Sequence, residues 1–252
     1  MPNAGICAHN LHVYPDLEHL SEAAAERWIA LCHAAISQRG AFHVALAGGS
    51  TPKRVYQLLA RPERCDRIDW ARVQIYFGDE RAVPPTHADS NFRMAHEALL
   101  AHIDIPAANV QRMAATPEHI DKDAVDYAAL LRERLPRDVA GIPVFDLIML
   151  GMGADGHTCS LFPDSPILHE RARSIGAVYV ERLQSWRLSL TYPVLDAARQ
   201  LMFLVAGSDK AAMLRRICHP DTTAPAVPVQ DIRPRGQVDW YLDAHAAAEL
   251  RP

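Results

Sequence analysis

The sequence predicts an α/β protein, and three observations carry that prediction. Short apolar runs recur along the chain, at Ala41–Ala47, Val73–Phe77, Phe145–Leu150 and Leu201–Ala206, and each runs into glycine, as a strand buried on both faces does. Segments with helical spacing of apolar residues alternate with these runs, which is the pattern of a parallel sheet covered on both sides. Polar loops follow the carboxyl end of every run, so parallel strands deliver all four loops to one edge and one crevice. The expected architecture is three-layer α/β/α, with a mostly parallel, Rossmann-like sheet and helices on both faces.

Taken in order, Leu11–Tyr14 is expected as a short first strand. Leu20, Ala24, Trp28, Leu31 and Ala35 share one helical face and place a helix at about residues 17 to 38, ended by Gly40. After the strand at 41–47, Thr51 is expected to cap a helix whose first residue is Pro52, with Val55, Leu58 and Leu59 as its apolar stripe. Asp89 or Ser90 caps a helix from Asn91 to about His102, and Ile120, Ala124, Tyr127, Ala128, Leu131 and Leu135 mark a longer one. Leu188, Leu190 and Tyr192 alternate with Ser189 and Thr191, as in a strand. Met213, Leu214 and Ile217 mark a helix after Lys210, and Trp240 to Leu250 is expected to be the terminal helix. No linker, repeat or low-complexity run divides the chain, so one domain over residues 1–252 is expected, with its core at about 11–240.

Composition narrows the function classes. A hydrophobic content of 49% with 22% charged residues is that of an ordinary globular enzyme, and a net charge of −4 leaves no electrostatic footprint for nucleic acid. No apolar stretch approaches the roughly 20 residues that span a bilayer. The first residues, Met1 to Ile6, lack a basic segment followed by an apolar one, so no secretory signal is expected. Cys7, Cys32, Cys65, Cys159 and Cys218 lie far apart, odd in number and without a CxxC pair. That argues for reduced thiols in a cytoplasmic protein, and against a zinc site or a disulfide framework.

The loops carry the chemistry. Gly48-Gly49-Ser50-Thr51-Pro52 sits where a strand gives way to a helix. Free N–H groups at a helix start attract anions and two hydroxyls add donors, so the loop fits a phosphate; a tight turn with a helix cap fits it too. Asp79-Glu80-Arg81 crowds three charges against a strand end. An arginine there can clamp a phosphate or carboxylate, whereas an isolated triplet of this kind is a solvated turn. Gly151 to His157 places Asp155 and His157, an acid and a potential base, on one glycine-rich loop. Among 13 histidines, His157 stands out by its loop. Arg187 opens the Leu188 strand, and Lys210 stands at a helix start, where a cation opposes the helix dipole unless an anion is near or the side chain reaches into solvent. Gly151-Met152-Gly153-Ala154-Asp155-Gly156 also fits the dinucleotide fingerprint, but Pro163 and Pro166 interrupt the helix that this fingerprint must open.

Together, Gly48 to Pro52, Asp79-Glu80-Arg81 with Pro84 and Asp89-Ser90-Asn91, Gly151 to Pro163, and Gly207 to Lys210 resemble, in order, the motifs of the 6-phosphogluconolactonase family. Pro225-Ala226 resembles that family's late Pro-Ala turn, and the likeness runs from about Leu11 to Trp240. The related glucosamine-6-phosphate deaminases have an aromatic residue after the Asp-Glu pair and a catalytic glutamate five residues beyond the loop histidine; here Arg81 and Phe162 hold those places. Cys159 departs from the family's usual alanine. The resemblance implies hydrolysis of 6-phospho-D-glucono-1,5-lactone, a small sugar-phosphate lactone, by an esterase that needs no metal and no organic cofactor. It implies His157 as base, with Asp155, Arg81 and Asp79 beside it. Gly48, Gly49, Ser50, Thr51, Arg187 and Lys210 are implied to bind the substrate and its phosphate. A monomer or weak homodimer without nucleic-acid or membrane partners is expected. The competing readings are a sugar-phosphate isomerase or deaminase on the same scaffold, a non-catalytic sugar-phosphate sensor, and the nucleotide-dependent dehydrogenase disfavoured by the prolines.

Overall fold

The computed structural model describes residues 10–219 and 225–250. Cys7 and the first residues, on which the signal-segment expectation rested, lie outside them. Six parallel strands form the central sheet: β1 (Asn10–Tyr14), β2 (Phe42–Leu46), β3 (Val73–Phe77), β5 (Leu147–Leu150), β8 (Gln200–Val205) and β9 (Gln237–Asp243). Their spatial order is β1-β9-β8-β5-β2-β3. From β2 the chain moves outward to β3; from β5 it moves the other way, through β8 to β9. The direction of winding therefore reverses between β2 and β5, the place where a crevice opens outside the carboxyl ends of the strands.

The helices flank this sheet. Helix α1 (Leu17–Arg39) starts at Asp16, whose carboxylate accepts from the His19 N–H at 2.9 Å, and ends at Gly40 with φ +83°, close to expectation. Its buried Trp28 meets Phe42 of β2 edge-on at 5.0 Å and Trp70 at 5.7 Å. Such aromatic pairs add about 0.5–1.5 kcal/mol beyond burial alone. Helix α2 (Ser50–Leu59) begins after Gly49, not at Pro52, so Thr51 is its second residue rather than its cap. Next come α3 (Pro62–Cys65), α4 (Asn91–Ala98), capped by Ser90, and α5 (Ile120–Arg134). The helix expected to reach His102 stops at Ala98 and tightens into a separate turn at Leu100–His102. Near the end of the chain α6 (Tyr192–Ala197) and α7 (Ala211–Cys218) follow. No helix among the described residues is long and apolar enough to cross a membrane.

Two features depart from the sequence reading. The expected terminal helix over Trp240 to Leu250 is instead strand β9 followed by turns. β9 fills the slot between β1 and β8, pairing Trp240 with both Leu11 and Phe203, and the Trp240 and Phe203 rings stack at 3.9 Å. Closing two otherwise open strand edges outweighs local helix preference there. A second, antiparallel sheet is also present, in the order β4-β7-β6, made of β4 (Asp79–Arg81), β6 (Ile175–Val180) and β7 (Ser185–Leu190). β7 starts three residues before Leu188 and ends before Tyr192, which opens α6.

Candidate active site

A cavity of about 350 Å³ lies outside the carboxyl ends of β2, β5 and β8, beside β4. Gly48, Gly49, Ser50, Thr51, Asp79, Arg81, His157, Arg187 and Lys210 all line it. Nine of the ten residues singled out in the sequence therefore converge, from segments separated by up to 162 positions (Gly48 to Lys210). The tenth, Asp155, stands behind His157: its Oδ1 faces Nδ1 of the imidazole at 2.5 Å and accepts from the His157 backbone N–H at 3.2 Å. An ionised Asp155 makes Nδ1 the protonated nitrogen and leaves Nε2 free to accept a proton. Burial pushes the His157 pKa below its ordinary value, against the pull of Asp155 and Asp79. Burial also works to raise the Asp155 pKa, yet the bond from His157 and the charges of His157 and Arg182 hold it below the usual carboxylate range.

The anion-seeking side of the cavity is built from helix starts and cations. Gly49 and Gly207 precede helical turns with nearly identical left-handed φ, +103° and +101°, which leads the chain from a buried strand into a helix whose first N–H groups face outward. Lys210 sits at the start of α7, with Nζ 2.8 Å from the Asp209 carboxylate. Arg81 on β4 lies directly opposite Arg187 on β7 in the antiparallel register. Like charges placed so destabilise a sheet unless an anion joins them. Arg81 donates from Nη1 to the Asp89 carbonyl at 2.5 Å, while the buried Nε atoms of Arg81 and Arg187 have no hydrogen-bond partner among the described residues. Burial lowers the Arg187 pKa despite the nearby Asp79. Two forks with spare donors on one wall are suited to hold phosphate or carboxylate oxygens.

Buried polar pairs fix this wall. The Asp79 carboxylate accepts from Asn91 Nδ2 at 3.0 Å and Ser160 Oγ at 2.7 Å, while the residue still lines the cavity. The Asn91 amide occupies the space beside Gly48, where a Cβ would lie 2.0 Å from its oxygen, so glycine is required there. Glu80 accepts from the backbone N–H groups of Arg81, Asn91 and Phe92, each at 2.8 Å, and thereby ties β4 to the start of α4. Burial raises the Glu80 pKa in spite of those bonds.

Two residues at the site were not assigned such roles from the sequence. Phe162, noted only for what it replaces, lies against the His157 ring with centroids 4.2 Å apart. Arg182 donates from Nη2 to Asp155 Oδ2 at 2.5 Å and places its guanidinium 5.0 Å over Phe162. It lies in the turn between β6 and β7, and no spacing in the sequence connects that turn with residue 155. Among the described residues Cys32, Cys65 and Cys159 are free thiols, and burial pushes the Cys159 thiol well above its ordinary pKa. Among the described residues no three His, Cys, Asp or Glu side chains gather as a metal would require.

Comparison with known proteins agrees with this architecture. The family model described as glucosamine-6-phosphate isomerases/6-phosphogluconolactonase matches residues 15–240. The chain is 39% identical to a 6-phosphogluconolactonase of Synechocystis sp. over 220 residues, covering 86% of this chain and 88% of that protein. It is 38% identical to the 6-phosphogluconolactonase of Homo sapiens over 235 residues, covering 92% and 88%. The structure of 6-phosphogluconolactonase from Trypanosoma brucei superposes with a TM-score of 0.85 at 28% identity, over 96% of this chain and 99% of the other. A match over most of the chain, with the loop motifs gathered around one cavity, places this protein in the glucosamine-6-phosphate isomerase/6-phosphogluconolactonase family.

Proposed function

We propose that the chain is a 6-phosphogluconolactonase, hydrolysing 6-phospho-D-glucono-1,5-lactone to 6-phospho-D-gluconate, the second step of the oxidative pentose phosphate pathway. The observation that carries this reading is the shared cavity: a His157–Asp155 pair faces the same space as two helix starts, Lys210, Arg81 and Arg187. Nε2 of His157 takes a proton from water as the water oxygen bonds to C1 of the lactone. The resulting oxyanion is stabilised by backbone N–H groups of the glycine loops or by a neighbouring guanidinium. The C1–ring oxygen bond then breaks, and the imidazolium returns its proton to the departing oxygen. Ser50, Thr51, Arg187 and Lys210 hold the phosphate, and Arg81 binds phosphate or sugar oxygens. Phe162 cannot transfer a proton, and that disfavours the isomerase and deaminase chemistry of related proteins.

Acid release from freshly made lactone, after subtraction of spontaneous opening, tests the proposal. Ammonia release from glucosamine 6-phosphate in its place would overturn it. Lys210→Ala is expected to raise KM about tenfold with little change in kcat, because phosphate is held equally in ground and transition states. A large fall in kcat at constant KM would remove Lys210 from the phosphate site.

The pH profile follows from His157. Only the neutral imidazole can act as base, and its pKa lies below the ordinary histidine value because of burial. Activity is therefore expected to be full at neutral pH and to fall as the pH drops through that lowered pKa. In kcat/KM measured from mildly acidic to neutral pH, an acidic limb centred above the ordinary value of about 6.5 would contradict the assignment.

A further inference from the structure

We propose that Arg182 is a positioning residue for this reaction: from the turn between β6 and β7 it braces Asp155, and through Asp155 it fixes the orientation and tautomer of His157. The inference rests on the reading of His157 as the base. Each oxygen of Asp155 has its own partners. Oδ1 meets the His157 imidazole and backbone N–H, at 2.5 Å and 3.2 Å, and Oδ2 accepts from Arg182 Nη2 at 2.5 Å. Held at one oxygen alone, a carboxylate turns easily about its last torsion. Held at both, it presents Oδ1 to Nδ1 at a fixed angle. Phe162 supplies the third constraint, since its ring carries the imidazole at 4.2 Å and the Arg182 guanidinium at 5.0 Å. The imidazole plane, its hydrogen-bonded edge and the acid behind it are thus set by one connected group.

The turn that carries Arg182 is closed by its own hydrogen bonds. Gln184 adopts a left-handed φ of +46°, and its backbone N–H and side-chain amide both donate to the Glu181 carbonyl, at 3.1 Å and 2.7 Å. The Arg182 side chain is 56% exposed, and a solvent-facing ion pair of this kind adds little to stability. Global stability therefore does not account for an arginine reaching across from the second sheet to the loop acid; control of the His157–Asp155 pair does. The charged groups acting on the imidazole are Asp155 on its own loop, Asp79 on β4 and the cation Arg182, while Arg187 stands over the Phe162 ring at 5.6 Å.

The test compares Arg182→Ala and Arg182→Lys with the unaltered chain and His157→Ala, in lactone hydrolysis across pH and in the ¹⁵N NMR titration of the His157 imidazole. Arg182→Ala is expected to lower kcat about tenfold, the scale of losing one charge-assisted hydrogen bond, with KM within about twofold. Removal of a neighbouring cation eases protonation, so the acidic limb of kcat/KM and the NMR midpoint of His157 move to higher pH. Arg182→Lys recovers most of the lost turnover. A kcat within about twofold of the unaltered chain, or a limb that stays in place or moves to lower pH, would overturn the proposal. The NMR arm separates the two ideas. If the unaltered chain hydrolyses no lactone, the functional reading fails, while an unmoved His157 midpoint in Arg182→Ala refutes the brace by itself.

Discussion

His157→Ala is expected to lower kcat for lactone hydrolysis by about 10²–10⁴, the range contributed by a general base. On the proposed mechanism the loss falls on kcat, because the imidazole acts on the attacking water while binding of the phosphate is assigned to Ser50, Thr51, Arg187 and Lys210. The fold should persist: His157 sits in a loop that lines the cavity, outside the strands of the sheet, and its side chain is 28% exposed. Turnover corrected for spontaneous opening, together with a thermal melt, checks both halves. A variant with nearly full turnover would remove His157 from the chemistry.

Gly153→Ala is expected to cost about 100-fold in kcat without touching any chemical group. A Cβ at this position would lie 2.1 Å from His157 Nδ1, 2.2 Å from its Cε1 and 2.5 Å from Asp155 Oδ1, so the imidazole and the acid must both move. The backbone φ of Gly153 is outside the left-handed region, so alanine is tolerated there by the main chain, and the effect isolates side-chain displacement. Misplacing a catalytic group by about 1 Å can cost about 10² in rate. The loop should still close, since Gly153 donates its N–H to the His157 carbonyl at 2.9 Å and accepts from the Gly156 N–H at 2.9 Å. Steady-state kinetics beside a circular dichroism spectrum decides the matter. Unchanged kcat would mean that the imidazole leaves the geometry described here during turnover.

Legibility from the sequence tracked the range of the interactions involved. Each of the three parallel strands that end at the cavity, and β3 beside them, was visible as an apolar run ending in glycine, because burial on both faces leaves a strong local signature. The stop at Gly40 was visible for the same reason, as was the cap of α4, narrowed to Asp89 or Ser90 and found at Ser90, since a cap acts over three or four residues. The sheet β4-β7-β6 was not. β4 is three charged residues, Asp79-Glu80-Arg81, that become a strand only by pairing with β7, more than 100 positions later. Trp240 misled for a related reason: its fate depended on the space left between β1 and β8.

Residue chemistry along the chain was enough to determine the parallel scaffold, the edge on which the polar loops fall, and the kinds of group available there: an acid and a base on one loop, cations, and helix-initiating glycines. Only the folded chain decided what those groups touch. It turned Asp79 toward Asn91 and Ser160, set Arg81 opposite Arg187, and brought Arg182 across from another sheet to the second oxygen of Asp155. The division has a physical cause. Backbone preference and burial period are written over a few neighbouring residues, whereas the partner of a charged side chain is set by whichever distant segment the packed sheets bring within about 3 Å of it.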